Sequence, residues 1–83
     1  MKHNEFAMGA DFLYQDEEYR VTDIGSRVIV AIRVSSVNIY RDGKHLTLTK
    51  EEAEAEGWFK RPYALVEHIF DENEMPLCKP VKP

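Results

Sequence analysis

Short stretches of alternating apolar and polar residues dominate this chain of 83 residues, and such alternation is typical of β-strands. The strongest stretch is residues 27–34, where aliphatic side chains occupy both faces: Val28, Val30, Ile32 and Val34 on one, Ile29 and Ala31 on the other. A strand that is apolar on both faces is normally central in a sheet or in a barrel wall. The pattern therefore predicts a central strand over residues 27–34.

Five other stretches show a similar pattern and predict further strands: residues 11–14, 19–24, 37–41, 44–48 and 63–70. The first two flank a polar turn at residues 15–18. Between the third and the fourth, Asp42-Gly43 suits a type I′ hairpin turn, because both central residues of that turn need positive φ. Short strands joined by such turns predict antiparallel pairing.

One short helix is predicted after the hairpin, over residues 50–56. Thr49 and Glu52 match the capping-box pattern, in which each side chain accepts a hydrogen bond from the backbone N–H of the other residue. Gly57 favours the end of the helix, because glycine readily takes the left-handed conformation found there. Two turns of helix are not stable alone, so we expect the helix to dock through its apolar neighbours: Leu48, Trp58 and Phe59.

Together these elements predict a mainly β (α+β) fold, which is a small twisted antiparallel sheet or partly open barrel of about five or six strands with one short helix. We expect a single domain over residues 10–70. Residues 1–9 are predicted to be a flexible N-terminus, and residues 71–83 a flexible acidic tail that contains prolines. Truncation after Glu74 is therefore expected to leave the stability unchanged.

The composition indicates the setting of the protein rather than its activity. The longest apolar run, residues 28–32, is far shorter than the ~18 residues of a membrane-spanning helix. The single cysteine, Cys78, excludes an internal disulfide and fits a reducing compartment. The polar N-terminus is not followed by the apolar stretch of a signal peptide. These features predict a cytoplasmic protein that does not enter a membrane.

Three segments resemble other proteins: Tyr19–Ile32, Gly57–Phe59 with Pro62–Glu67, and Ile69–Glu72. They are similar to a group of small bacterial proteins, often encoded on mobile or accessory DNA, that have no assigned function. The resemblance covers about residues 12–72, although members of that group tend to read Gly-Pro-Pro-Tyr where this chain has Lys60-Arg61-Pro62-Tyr63. It implies a shared fold and supplies no reaction, ligand or partner.

An aromatic and cationic cluster follows the predicted helix: Trp58, Phe59, Lys60, Arg61 and Tyr63. Aromatic and arginine side chains often anchor protein interfaces, so this cluster is a candidate surface for a protein partner. The same rings could stack the bases of a nucleic acid. In the alternative interpretation, Trp58 and Phe59 pack the helix onto the sheet and only the cations face solvent.

A second candidate site consists of five cations within residues 20–44: Arg20, Arg27, Arg33, Arg41 and Lys44. If they share one sheet face, they form a surface for the phosphates of a nucleic acid. The net charge of −4 argues against this, because the acidic segments repel the same phosphates. Asp23 and Arg27 flank a tight turn, where they could hold an anion or simply pair with each other.

The residue types needed for metal binding or catalysis occur without the required spacing. His3, His45, His68 and Cys78 match no pattern of zinc ligands, so no metal or cofactor is predicted. No nucleophile stands at motif spacing from a base. We therefore predict that the protein is not an enzyme.

The leading functional hypothesis is a non-enzymatic protein-interaction module of a bacterial accessory system. Its partner is an unidentified protein or a second copy bound through an edge strand. The alternative is a small-barrel nucleic-acid-binding protein that uses the arginine-rich face together with Tyr40. The third hypothesis is a small enzyme, and no sequence feature supports it.

We expect Thr49→Ala to lower the free energy of unfolding by about 1 kcal/mol, because it removes the acceptor for the backbone N–H of Glu52. Thr49→Ser keeps a hydroxyl acceptor and should remain close to the wild type. Chemical denaturation of the three proteins measures the difference. An unchanged midpoint for Thr49→Ala would show that Thr49 is not the N-cap.

Overall fold

The computed structural model describes residues 1–60 and 65–81, which form two antiparallel β-sheets and one short α-helix. The larger sheet has five strands: Asp11–Tyr14 (β1), Glu17–Ile24 (β2), Ile29–Arg33 (β3), Glu67–Phe70 (β6) and Lys79–Pro80 (β7). Their order across the sheet is β6-β3-β2-β1-β7. The smaller sheet is the hairpin of Ser36–Arg41 (β4) and Lys44–Thr49 (β5), and the helix is Lys50–Ala55 (α1).

The predicted mainly β class with one short α-helix is confirmed. The described strands number seven rather than five or six, and the two sheets are not closed into a barrel. Short 3₁₀ helices lie at His3–Glu5, Trp58–Lys60 and Met75–Leu77. Residues 63 and 64 of the predicted last strand lie outside the described residues, and that strand begins at Glu67.

The prediction of a central strand is confirmed for β3, which pairs with β2 on one side and with β6 on the other. Ile29 and Ala31 are fully buried in the core that covers one face of the sheet. Ile32 is fully buried as well, and its side chain points to the opposite face. The sequence pattern therefore identified a strand with both faces covered.

The described sheets contain two turns in which both central residues have positive φ. Asp42 and Gly43 have φ values of 53° and 76°, as the type I′ pattern requires. The turn between β1 and β2 is shorter than the predicted four residues, because only Gln15 and Asp16 lie outside the strands, with φ values of 51° and 64°. Neither is glycine, so the residue that usually indicates a two-residue turn is absent here.

The main core lies on one face of the five-stranded sheet and centres on Phe12. The ring of Phe12 stacks on that of Tyr19 with 5.7 Å between centroids. It meets the rings of Phe6 and Phe70 edge-on at 5.0 and 5.2 Å. Aromatic pairs of this kind add roughly 0.5–1.5 kcal/mol each beyond the area they bury.

A second core joins the hairpin to the helix through four buried residues: Val37, Ile39, Leu48 and Ala53. The predicted capping box is confirmed at the start of α1. The hydroxyl of Thr49 accepts from the N–H of Glu52 at 3.2 Å, and the Glu52 carboxylate accepts from the N–H of Thr49 at 2.9 Å. Gly57, with a φ of 79°, follows the end of the helix as predicted.

The structure differs from the expectation that residues 1–9 and 71–83 contribute nothing to the packed domain. Phe6, Met75 and Cys78 are buried in the main core, with 7%, 4% and 3% of their surface exposed. β7 also pairs with β1. The apolar residues of these two segments show no periodic pattern in the sequence. They are buried because they cover a face of the five-stranded sheet that would otherwise be open to solvent.

We expect Met75→Ala to lower the free energy of unfolding by about 2–3 kcal/mol, because it empties a buried position in the main core. Truncation after Glu74 should likewise be destabilising, the reverse of the expectation from sequence. The matched control is Leu77→Ala: Leu77 is 59% exposed, and its truncation should change the stability by no more than about 0.5 kcal/mol. Equal denaturation midpoints for both variants would show that Met75 does not support the core.

Candidate interaction surface

Arg20 takes part in a charged contact between the five-stranded sheet and α1. Its guanidinium donates to both carboxylate oxygens of Asp11 at 2.7 and 3.1 Å, and to Glu54 of α1 at 2.7 Å. The amine of Lys50, also in α1, donates to Asp11 at 3.1 Å and to Glu18 at 2.6 Å. We call these five residues the charged bridge. They hold the helix against the sheet, so Arg20 is already engaged within the molecule.

The charged bridge keeps Asp11 ionised. Burial of Asp11 acts to raise the pKa of its carboxyl, but hydrogen bonds from Arg20 and Lys50 outweigh burial and lower that pKa below its ordinary value. The hydrogen bond to Glu18 likewise raises the pKa of Lys50. Both shifts favour the charged forms, so the contact is an ion-pair network at neutral pH.

Two other predicted cations also pair with carboxylates. Arg27 lies 3.2 Å from the carboxylate of Glu72, and Asp23, near the end of β2, accepts instead from the N–H of Ile24. Arg41 lies 2.6 Å from Glu56. Lys44 is exposed beside the hairpin turn. Three of the four arginines in the described part of the chain are therefore neutralised within the molecule.

Arg33 and Arg20 lie on opposite faces of the five-stranded sheet. In the pairing of β2 with β3, Arg20 stands opposite Ile32 and Arg33 stands opposite Tyr19. Side chains that are neighbours along a strand point to opposite faces. The structure therefore does not bring the five predicted cations to one face. Within residues 1–60 and 65–81, no carboxylate lies within 4.0 Å of the Arg33 guanidinium.

The aromatic cluster after the helix is only partly described, because Arg61 and Tyr63 lie outside the described residues. Trp58 and Phe59 are half-buried against the second core. The guanidinium of Arg20 lies over the ring of Phe59, 5.4 Å from its centroid, and Lys60 is exposed. Both rings thus contribute to packing around α1, as the alternative interpretation of the sequence proposed.

The direction of the backbone groups in β3 follows from its pairing with β2. The N–H of Val34 donates to the carbonyl of Glu18 at 2.8 Å, so the backbone groups of Val34 face β2. In an antiparallel ladder, the direction of these groups alternates from one residue to the next. Ile29 and Ala31 are an odd number of residues away from Val34. Their N–H and C=O groups therefore point away from β2 and towards β6.

The same alternation identifies the open side of β6. Ala31 pairs with His68, so the backbone groups of His68 face β3. Those of its neighbours Glu67 and Ile69 consequently point away from the sheet. No strand in the described part of the chain pairs with β6 on that side. β6 is therefore an edge strand with outward donors and acceptors at Glu67 and Ile69.

Exposed aliphatic side chains accompany this open edge. Val66 is 77% exposed and Ile69 is 65% exposed. A cavity of about 320 Å³, which we call the edge groove, lies beside Val66. Its lining includes Arg33 at the end of β3, three residues at the start of β4, the segment just before β6 and one residue of β6: Ser36, Val37, Asn38, Leu65, Val66 and His68. Sequence reasoning singled out only Arg33, because strand order decides which strand lies at an edge.

Three polar groups gather where β2, β3 and β6 run side by side. The ring of His68 lies 5.3 Å from that of Tyr19, between centroids, and Arg33 stands opposite Tyr19. Burial raises the pKa of the Tyr19 phenol, while the positive charge of Arg33 acts in the opposite direction. An imidazole, a guanidinium and a phenol can all donate hydrogen bonds to an anion.

Other chemistry is limited in the part of the chain that the structure describes. There, no group of three or more His, Cys, Asp or Glu side chains is arranged to hold a metal ion. Cys78 is buried, and burial raises the pKa of its thiol, which makes it a poor nucleophile. None of the helices in residues 1–60 and 65–81 has the length and apolar character that crossing a bilayer requires.

Comparison with known proteins gives no match: no protein-family model, curated protein or solved structure is significantly similar to this chain. The resemblance to small bacterial proteins therefore stays a prediction.

We expect Asp11→Asn to lower the free energy of unfolding by about 1–2 kcal/mol at pH 7, because it removes the negative charge between Arg20 and Lys50. The pKa of Asp11 is lowered by folding, so its contribution is complete above the unfolded pKa of about 4 and is lost as the pH falls through the folded pKa. The difference from the wild type should therefore shrink in acid.

Urea denaturation across a pH series measures this difference. If the difference in unfolding free energy between wild type and Asp11→Asn stays constant down to pH ~2, folding does not lower the pKa of Asp11. Glu56→Gln is the matched control, because it breaks the exposed ion pair with Arg41 and should have little effect on stability.

Proposed function

We propose that the protein is a non-enzymatic cytoplasmic interaction module that binds a protein partner by adding one of the partner's strands to β6. The observation that carries this proposal is the open edge of β6, with exposed Val66 and Ile69 beside it. In strand addition, backbone hydrogen bonds supply affinity, and pockets for alternate side chains supply specificity. The edge groove is such a pocket, directly beside the start of β6.

The apolar side chains add to the backbone contribution. An exposed aliphatic side chain gains roughly 25 cal/mol for each Å² of apolar surface that a partner covers. Ile69 lies opposite Val30 of β3, so a strand added to β6 would extend an apolar row that already exists. Backbone pairing and apolar burial thus act at the same edge.

The nucleic-acid hypothesis has less support. Arg20, Arg27 and Arg41 are paired with carboxylates, so phosphates would have to displace acids that are already in place. The salt-dependent affinity of a nucleic-acid-binding protein comes from lysine and arginine side chains that neutralise phosphates. Nucleic-acid binding is therefore the alternative outcome of the experiment below.

We expect Ile69→Pro to abolish binding of the partner without disrupting the fold. Because the N–H of Ile69 points outward, proline removes a donor that an added strand needs and leaves the bonds between β3 and β6 in place. Immobilised wild type and variant are exposed to a lysate of the cells that supply the sequence, and mass spectrometry identifies the bound proteins. Proteins retained by the wild type and lost from Ile69→Pro would support the proposal.

Three controls make this test decisive. Leu77→Lys changes an exposed aliphatic side chain elsewhere and should retain the same proteins. His68→Pro removes a bond of the β3–β6 ladder, so it should cost about 1 kcal/mol more stability than Ile69→Pro. Sedimentation of the purified chain tests whether the partner is a second copy. Identical proteins on wild type and Ile69→Pro would contradict strand addition, and nucleic acid in the captured material would favour the alternative.

A further inference from the structure

We infer that the strand added to β6 carries an acidic side chain, and that Arg33 binds its carboxylate at the edge groove. This inference rests on the proposed strand addition and names the chemistry of the partner. The partner segment is an extended polypeptide in which an acidic residue stands next to an apolar one.

Arg33 differs from the other arginines of the described part of the chain. Arg20, Arg27 and Arg41 lie 2.7, 3.2 and 2.6 Å from a carboxylate, whereas Arg33 has none within 4.0 Å among residues 1–60 and 65–81. Arg33 is nevertheless half-buried. A cation that has lost part of its water without gaining a counter-charge is unfavourable, and an anion supplied from outside relieves this cost.

The surroundings of Arg33 also favour an anion. His68, Asn38 and Ser36 line the same groove, and each has a polar group that can donate a hydrogen bond. The acid on the same face of β2, Glu17, accepts from the hydroxyl of Ser35. A charge-assisted hydrogen bond to a guanidinium is roughly twice as strong as a neutral one, so a carboxylate gains most at Arg33.

Strand geometry fixes the order of residues in the partner. Ala31 of β3 pairs with His68, so the side chains of these two residues lie on the same face of the sheet. Arg33 is two residues after Ala31 in the same strand, so its side chain lies on that face as well. Ile69 lies on the other face. In a strand added beside β6, successive side chains point to opposite faces of the sheet. One residue of that strand therefore lies on the face that carries Arg33, and the residues before and after it lie on the face that carries Ile69. An acidic residue flanked by apolar ones fits both faces.

A second copy of this chain fits the edge less well. In a two-fold antiparallel pairing of β6 with itself, Glu67 stands opposite Glu67, Ile69 or Asp71 of the other copy, depending on the register. Two of these registers oppose like charges, and the third places Glu67 against an aliphatic side chain. Glu67 also lies on the face of Ile32, away from Arg33. A separate acidic segment is therefore the better occupant.

The test uses three nine-residue peptides of alternating threonine and valine, with blocked ends and with glutamate, glutamine or lysine at the fifth position. Each is titrated into the full ¹⁵N-labelled chain, and the amide signals of Glu67 and Ile69 report binding at the edge. We expect the glutamate peptide to bind about fivefold or more tightly than the glutamine peptide at low salt, and the lysine peptide to bind most weakly.

Substitutions then assign this preference to Arg33. In Arg33→Gln, the ratio between the glutamate and glutamine peptides should fall to about one, and Arg33→Lys should keep part of it. Lys44→Gln is the matched control, because it removes an exposed cation at the hairpin and should leave the ratio unchanged. If Arg33→Gln fails to fold, Arg33→Lys tests the residue, and salt tests the charge with the wild type, because about 0.5 M salt weakens an ion pair and should reduce the preference.

The outcomes separate this inference from the proposed function. Equal binding of the glutamate and glutamine peptides, or a preference that survives in a folded Arg33→Gln, would overturn the role of Arg33 and leave strand addition standing. Absence of any shift at Glu67 and Ile69 with all three peptides would overturn strand addition itself, and this inference with it.

Discussion

The charged bridge is the hydrogen-bonded contact that joins α1 to the five-stranded sheet. The main core and the second core share no buried residue, and a domain of 83 residues buries only about 60–65% of its unfolded surface. Arg20, Asp11 and Lys50 connect the sheet to α1 across this division. They are partly buried and hydrogen-bonded to more than one partner, so breaking them costs more than breaking a surface ion pair.

The same bridge explains why a chain segment rich in arginine does not produce a basic surface. Its carboxylates come from the neighbouring strands β1 and β2 and from α1, which lies far along the chain from both strands. Folding brings these acids to the cations, and the excess of acids in the composition makes such pairing possible for Arg27 and Arg41 as well. Arg33 faces the other side of the sheet from Arg20, where it stays without a carboxylate among the described residues. Its isolation is therefore a consequence of strand alternation.

Local features of the structure could be predicted from the sequence, and distant ones could not. The capping box at Thr49 and the turn at Asp42-Gly43 depend on neighbouring residues alone, so the pattern contains them. Burial of Met75 depends on a face that the sheet leaves uncovered, and the open edge of β6 depends on strand order. Neither leaves a periodic trace in the sequence. The candidate site combines both kinds of information: Arg33 could be singled out, but its partners in the groove could not.

The two edges of the five-stranded sheet are built differently, and this difference supports the choice of β6 for the proposed strand addition. At one edge, β7 has two residues, and one of them is Pro80, which has no backbone N–H to offer to another strand. Short length, lysine and proline are the usual means by which proteins protect an edge from unwanted pairing, and β7 has all three. At the other edge, β6 has four residues without proline or lysine, and it exposes Ile69. The open edge without this protection is therefore the edge to which the proposed partner strand is assigned.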